Sequence, residues 1–115
     1  MVSSGVKVVV EPSEGPLAEA VRRLVDLFRP ERIYLFGSQA RGDATEDSDY
    51  DLMVVVPSDD EPRYRRAQRA YGVLYEVDLP VDVLVLTHDE FERQAPVVAS
   101  LPATVLREGR LLYAD

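Results

Sequence analysis

Three aspartates stand at positions where their carboxylates could do chemistry. Asp49 and Asp51 are separated by one residue, at the start of an apolar run over residues 52–56. Side chains alternate along a strand, so these two carboxylates would share a face, with Cα atoms about 6.5–7 Å apart, and could converge on hard cations such as Mg²⁺. Asp82 interrupts another apolar run, residues 81–86, where an unpaired charge is costly. A metal ion, or a hydroxyl group awaiting deprotonation, explains a buried Asp82 better than a structural role does.

A glycine and a serine follow a third apolar run, over residues 32–36. Because Gly37 has no Cβ, a phosphate could approach the backbone closely there, and Ser38 would add a hydroxyl donor. If a helical turn begins at Ser38, its free N–H groups would also face the anion. Taken alone, a Gly-Ser pair after a strand is usually just a turn.

Strand-like and helix-like segments alternate around these residues. Apolar or β-branched runs predict strands, and apolar residues that recur every three or four positions predict helices. Strands are predicted over residues 6–10, 32–36, 50–56, 81–86 and 111–113, and helices over residues 17–28, over residues 62–77 and from residue 87 onward. This order predicts an α/β (α+β) fold, in which a single small mixed β-sheet has helices packed on it. The first strand could join the edge of that sheet or pair with a second protomer.

The second predicted helix carries an expectation about its buried face. Its apolar residues recur at helical spacing, at Tyr64, Ala67, Tyr71 and Leu74. The tyrosines of this segment, including Tyr75, are therefore expected in the core or at an interface. Its arginines predict a solvated basic patch, or alternatively a docking surface for an acidic partner or RNA: Arg63, Arg65, Arg66 and Arg69.

The third predicted helix has clear start signals. Thr87 and Glu90 have the spacing of a capping box, and Leu86 and Phe91 have that of a hydrophobic staple. His88, the single histidine, falls in the first turn and is expected on the surface.

Length, charge and composition bound the class of protein. The 115 residues predict one domain over residues 1–115, with 21 acidic and 13 basic residues and a formal net charge of −8. This balance argues against direct binding to nucleic acid, which depends on Lys and Arg at the phosphates. The lack of cysteine excludes disulfides, thiolate metal sites and a cysteine nucleophile. No signal-peptide pattern or membrane-length apolar run is present, so a cytoplasmic protein without membrane association is expected.

The motifs together resemble a known signature. The segment GSQARGDATEDSDYDLMVVV, followed by Asp82, resembles that of the DNA polymerase beta-like nucleotidyltransferase superfamily. It is most similar to the minimal nucleotidyltransferase (MNT) branch, where GSxARG precedes SDxDL. The motif covers residues 36–56, and in order and length the resemblance extends from Leu17 to the end. It implies a nucleotidyltransferase domain whose short mixed sheet carries the acids.

The resemblance also implies a chemistry. Asp49, Asp51 and Asp82 would be the catalytic residues and would hold two Mg²⁺ ions, in the two-metal manner of an in-line displacement. An acceptor hydroxyl would lose its proton to Asp82 and attack the α-phosphate of an NTP, most simply ATP, with pyrophosphate leaving. The resemblance assigns the nucleotide contacts to Gly37, Ser38, Arg41 and Ser48.

A biological role follows from the same resemblance. MNT proteins are often encoded beside a HEPN-type ribonuclease toxin, and some adenylylate that toxin on tyrosine, so a HEPN-type toxin partner and an antitoxin role are expected. A lone catalytic core is expected to complete its substrate surface with a partner or a second copy, so a homo-oligomer is left open. The alternatives are a binding antitoxin that neutralises its toxin stoichiometrically, an enzyme acting on a small molecule, and an RNA-tailing enzyme.

Overall fold

The computed structural model of the chain describes residues 8–9, 14–45 and 48–115. The predicted order of helices and strands is confirmed, and the predicted strand over residues 6–10 is confirmed for Val8 and Val9, the rest of it lying outside the described residues. In chain order the strands and helices are β1 (Val8–Val9), α1 (Pro16–Phe28), β2 (Arg32–Phe36), α2 (Ser38–Arg41), β3 (Tyr50–Val56), α3 (Arg63–Leu74), β4 (Val81–Thr87), α4 (His88–Gln94), α5 (Leu101–Glu108) and β5 (Arg110–Ala114).

The strands form one mixed sheet in the order β1-β5-β2-β3-β4. Strand β2 is antiparallel to both of its neighbours, β3 and β5, whereas β3 and β4 are parallel. Val8 and Val9 pair with β5, so the first strand joins the edge of the sheet, which was one of the two alternatives. The parallel pair has the most direct bearing on function, because it places equivalent ends of β3 and β4 side by side.

Both faces of the sheet are covered, which explains the uninterrupted apolar runs. In β3, Leu52 and Val54 face a cluster formed with α1 and α3. Met53 and Val55 face the opposite cluster, which includes Phe91 of α4. A strand buried on both sides needs apolar residues at every position rather than at alternate ones. The mixed sheet with packed helices confirms the predicted fold class.

The prediction for the buried face of α3 was right for Leu74 and wrong in placing the tyrosines in the core. Its buried residues are Arg66, Ala70 and Leu74. Tyr64 and Tyr71 are instead 63% and 41% exposed, and Tyr75, just beyond the helix, is 87% exposed. The helix is therefore turned so that an arginine, and not a tyrosine, faces the rest of the protein.

Arg66 is buried because a glutamate from another helix meets its guanidinium. Its Nη1 and Nη2 donate to the two carboxylate oxygens of Glu90 at 2.8 and 3.2 Å, and Nη1 also donates to the Val85 carbonyl at 2.9 Å. The hydrogen bonds from Arg66 are the main cause that lowers the pKa of Glu90 to about 2. Glu90 also closes the predicted capping box with Thr87. One glutamate thus starts α4 and fixes α3 against it.

The predicted basic patch is only partly present. Arg66 is buried, and Arg69 forms ion pairs with Asp59 at 3.1 Å and Glu61 at 2.6 Å. Arg63 and Arg65 are exposed. Two exposed arginines on one helix are an ordinary solvated face, so this surface gives no reason to expect RNA. No helix in the described parts of the chain is both long and apolar enough to cross a bilayer.

Candidate active site

The sequence-predicted residues meet at one end of three neighbouring strands. Phe36, the last residue of β2, pairs with Asp51 of β3, and Asp51 pairs in turn with Asp82 of β4. Gly37 and Ser38 follow Phe36 directly, so the glycine turn and two of the three acids lie in one row across the sheet. A cavity of about 340 Å³ opens at this row, and its lining residues include Phe36, Asp51, Asp82 and, from α5, Leu101. A larger cavity of about 610 Å³, between α1 and α3, is lined by none of the predicted site residues.

Gly37 is required by the position of Asp51. Its backbone has φ 76° and ψ −159°, a conformation open essentially to glycine alone. The Cβ of any other residue would overlap Oδ2 of Asp51 and lie 3.2 Å from its Cγ. The sequence suggested that glycine admits a phosphate; the structure adds that it makes room for a carboxylate, a contact that sequence reasoning missed.

Asp51 lies at the centre of a negatively charged cluster. Burial raises the pKa of its carboxyl, the charges of Asp82 and Asp49 raise it further, and Arg41 partly opposes them. Asp49 immediately precedes β3 and is exposed. A carboxylate crowded by two others in this way is poised to gain from a bound cation.

Asp82 is exposed, so the expectation that it is buried was wrong. The reason is topological: β4 is an edge strand, and Asp82 lies at its open end, before the strand becomes buried at Val83. The hydroxyl of Tyr71 donates to Asp82 Oδ1 at 2.8 Å and accepts the Val83 N–H at 3.0 Å. Burial of this hydroxyl is the main cause that raises the pKa of Tyr71, so the phenol keeps the proton that it donates at neutral pH.

The chemistry of the three aspartates suits divalent cations better than their present geometry does. Carboxylate oxygens are the donors that Mg²⁺ prefers, and the repulsion that raises the Asp51 pKa is what a cation would relieve. Among the described residues, however, no group of three or more Asp, Glu, His or Cys side chains is close enough to hold a metal ion as it lies. Asp49, Asp51 and Asp82 as ligands of two ions therefore stay a prediction.

The four residues predicted to contact the nucleotide differ in their surroundings in the structure. Helix α2 begins at Ser38, directly beside Gly37, as the anion-binding interpretation requires. Arg41 is close enough for its charge to act on Asp51, but its Nε lies 3.3 Å from Asp43. The Ser48 hydroxyl accepts the Thr45 N–H at 3.0 Å and so braces the loop that precedes Asp49. In this state Ser48 serves the loop, and its nucleotide contact is likewise still a prediction.

Two further contacts hold the segment that carries Asp49. Gln39 Nε2 of α2 donates to the Ser48 carbonyl at 3.3 Å. The Tyr50 N–H donates to the Pro80 carbonyl at 2.8 Å, which ties the start of β3 to the start of β4. Neither contact had a sequence signal, because each depends on the fold that brings distant residues together.

The mixed sheet, the glycine turn and the row of aspartates define a class of enzyme that transfers nucleotidyl groups. A family model described as the nucleotidyltransferase domain matches residues 17–112. The chain belongs to this nucleotidyltransferase family, and the resemblance seen in the motifs is confirmed.

Relatives agree with this assignment. A provisionally named protein adenylyltransferase of Methanocaldococcus jannaschii, MJ0604, is 32% identical over 105 residues, which cover 87% of this chain and 97% of the relative. A solved, provisionally named nucleotidyltransferase from Sulfolobus solfataricus is 29% identical, with a TM-score of 0.54 over 68% of this chain and 69% of that one. A solved toxin–antitoxin complex with AMP-PNP contains a chain that is 25% identical, with a TM-score of 0.52 over 84% of this chain and 72% of that one.

Proposed function

We propose that this protein transfers AMP from ATP to a hydroxyl group of a partner protein, with a tyrosine of a HEPN-type toxin as acceptor and neutralisation of the toxin as the result. The observation that carries the proposal is the pairing of Asp51 with Asp82 beside Gly37. The name of the Methanocaldococcus relative supports a protein as the acceptor. The toxin–antitoxin neighbour crystallised with AMP-PNP supports ATP and a toxin partner.

Each residue of the row has a role in this reaction. Gly37 and the first N–H groups of α2 would receive the terminal phosphates, and Arg41 would turn its guanidinium fork toward their oxygens. Asp49 and Asp51 would hold Mg²⁺, with Asp82 contributing to the same site. Bound Mg²⁺ would supply positive charge against the triphosphate and the pyrophosphate that leaves. Asp82 would accept the proton of the acceptor hydroxyl.

The charge of the chain agrees with a protein acceptor. With a net charge of −8, the protein would repel RNA over most of its surface, whereas ATP needs only the cations of the site. The exposed arginines Arg63 and Arg65 are too few to reverse this balance. We therefore propose that the domain, taken as residues 1–115, receives its acceptor by protein–protein contact.

The test measures covalent label on the partner. The protein is incubated with Mg²⁺, ATP labelled on the α-phosphate and a cognate HEPN-type protein, and the label is located by mass spectrometry. Asp51→Asn should lower the rate at least about 100-fold, since even outer-shell partners of a metal site cost 10–100-fold. Asp78→Asn is the matched control, because it removes the same charge at an exposed turn. Equal rates for the two variants would show that the acidic row is not the site.

A second candidate is the binding antitoxin that acts stoichiometrically. It is favoured by two observations: Asp82 accepts a hydrogen bond from Tyr71, and within the part of the chain that the structure describes the acids do not lie close enough together to hold a metal ion. A double variant, Asp49→Ala with Asp51→Ala, separates the two candidates. Continued neutralisation of the toxin by the double variant would support binding, and its loss with complex formation intact would support transfer.

A further inference from the structure

We propose that Tyr71 is itself an acceptor, so that the protein adenylylates its own chain at this position when no partner occupies the site. This inference rests on the proposed transfer of AMP from ATP. The side chain of Tyr71 was expected in the core or at an interface, and in the structure its hydroxyl points at the candidate base.

The hydroxyl of Tyr71 has the contacts of a nucleophile beside its base. Its oxygen lies 2.8 Å from Oδ1 of Asp82 and donates its proton to that carboxylate. This is the distance over which a general base takes a proton from an attacking hydroxyl. The Val83 N–H, 3.0 Å away, fixes the direction of the phenol and occupies only one of its lone pairs. The residue as a whole is 41% exposed, so Tyr71 lies at the surface beside the site and not in the core.

The order of groups across the sheet is the order that in-line transfer needs. Gly37 follows β2, Asp51 lies on β3, Asp82 lies on β4, and Tyr71 of α3 reaches the outer edge of β4. Neighbouring strands are about 4.8 Å apart, so Tyr71 lies beyond two strand spacings, roughly 10 Å, from the glycine turn. A triphosphate whose terminal phosphates rest at Gly37 would extend toward Asp82, with its leaving group on the side away from Tyr71.

The step balances without a further reagent. The Tyr71 oxygen forms a bond to the α-phosphorus of ATP, and the bond from that phosphorus to the oxygen bridging to the β-phosphate breaks. Pyrophosphate leaves with the electron pair, and the phenolic proton passes to Asp82. The product is an AMP ester of Tyr71. Since this ester would sit at the cavity that Asp82 lines, we expect one AMP per chain and reduced access for further ATP.

Position, and not exposure, singles out Tyr71. Tyr64 and Tyr75 are more exposed, at 63% and 87%, so indiscriminate labelling would reach them first. Tyr75 lies one helical turn after Tyr71, which makes Tyr75→Phe a matched control for Tyr71→Phe. Each substitution removes one oxygen atom and leaves the ring.

The first experiment uses the full chain alone with Mg²⁺ and ATP labelled on the α-phosphate. The expected product is one AMP on Tyr71, found by intact mass and peptide mapping, retained in Tyr75→Phe and lost in Tyr71→Phe and Asp82→Asn. Melting temperatures of all variants check that each one is folded. Label on another tyrosine, or an unlabelled chain that still modifies its partner, overturns the inference and leaves the proposed function standing. An enzyme that labels neither itself nor any partner overturns both.

The second experiment does not depend on turnover. In protein labelled with ¹³C at the tyrosine ring carbon that bears the hydroxyl, the six tyrosines give six NMR signals, and that of Tyr71 is the one missing from Tyr71→Phe. Adding Mg²⁺ with α,β-methylene ATP, which cannot be cleaved between the α- and β-phosphates, should move the Tyr71 signal and leave that of Tyr75 in place. An unmoved Tyr71 signal in the presence of bound analogue overturns the inference. If the wild type stays unlabelled and Tyr71→Phe slows modification of the partner, Tyr71 is a positioning residue and not an acceptor, and the inference is overturned.

Discussion

Replacing Gly37 with alanine is the sharpest test of how the candidate site is built. The backbone there has φ 76° and ψ −159°, so any L-residue is strained by about 1–3 kcal/mol. For a domain of this size the strain should lower the melting temperature by about 4–12 °C, at about 4 °C per kcal/mol. The new Cβ would overlap Oδ2 of Asp51, and the carboxylate, as the free end of a side chain, would swing away. A misplacement of about 1 Å in a catalytic group can cost roughly 100-fold in rate.

The Gly42→Ala variant separates the effect of backbone strain from the effect of displacing the Asp51 carboxylate. Gly42 also has a positive φ, 86°, but a Cβ added there meets nothing within 4 Å. Its strain should be about 1–2 kcal/mol, the cost of a left-handed conformation for an L-residue. The assay compares both variants in transfer of labelled AMP to the partner at a temperature well below either melting point.

The expected result is loss of stability in both variants and loss of transfer in Gly37→Ala alone. If both variants transfer AMP at the wild-type rate, the position of the Asp51 carboxylate does not matter to the reaction, and the role assigned to it is wrong. If both variants are inactive at equal stability, the loop as a whole is responsible, and the specific contact between Gly37 and Asp51 has no separate effect.

Three other substitutions extend the test. The Asp82→Asn variant should still bind Mg²⁺ and α,β-methylene ATP measurably by calorimetry. It should transfer AMP about 10²–10⁴-fold more slowly, as expected for loss of a general base. An unchanged rate would exclude Asp82 as the base. Arg41→Ala should weaken nucleotide binding roughly 10–100-fold, which is the contribution of a charge-assisted hydrogen bond. The melting temperature should stay unchanged, because an exposed ion pair such as that of Arg41 with Asp43 contributes little to stability. An unaltered nucleotide affinity would show that Arg41 is not part of the site. Glu90 has its pKa lowered from 4.5 to about 2 in the fold, so its stabilisation of about 3 kcal/mol is complete above pH 5 and lost as the pH falls toward 2. In urea unfolding, wild type should lose this much more stability than Glu90→Gln between pH 6 and pH 2, and parallel curves would contradict the Arg66–Glu90 account.

The strands could be predicted because each is an apolar run with clear boundaries. The run in β3 ends at Pro57, and that in β2 ends at Gly37, where the chain must turn. The capping box at Thr87 was predictable for a similar reason, since its partner is only three residues away. Local signals of this kind are complete within a few residues, and they need no knowledge of the fold.

The errors arose where a partner is distant in sequence. Arg66 looked like a surface residue because its carboxylate, on Glu90, is 24 residues away. Asp82 looked buried because nothing in its own segment reveals that β4 is an edge strand. Helical spacing placed Tyr71 in the core or at an interface, and it did not reveal that Asp82 and Val83 hold its hydroxyl. In the site, residue types and spacing indicated the acids, but the contact between Gly37 and Asp51 required the register of β2 and β3.

The position of β5 in the sheet affects the order in which the strands can pair during synthesis. Val8 pairs with Ala114, so the earliest described strand to leave the ribosome must wait for the latest one. At 5–20 residues per second that wait lasts about 5–20 s. During this interval the stretch from Gly37 to Asp82 has been synthesised, while the edge of β2 that pairs with β5 stays unpaired. The three strands that carry the candidate site are therefore available for pairing before the strand that completes the sheet.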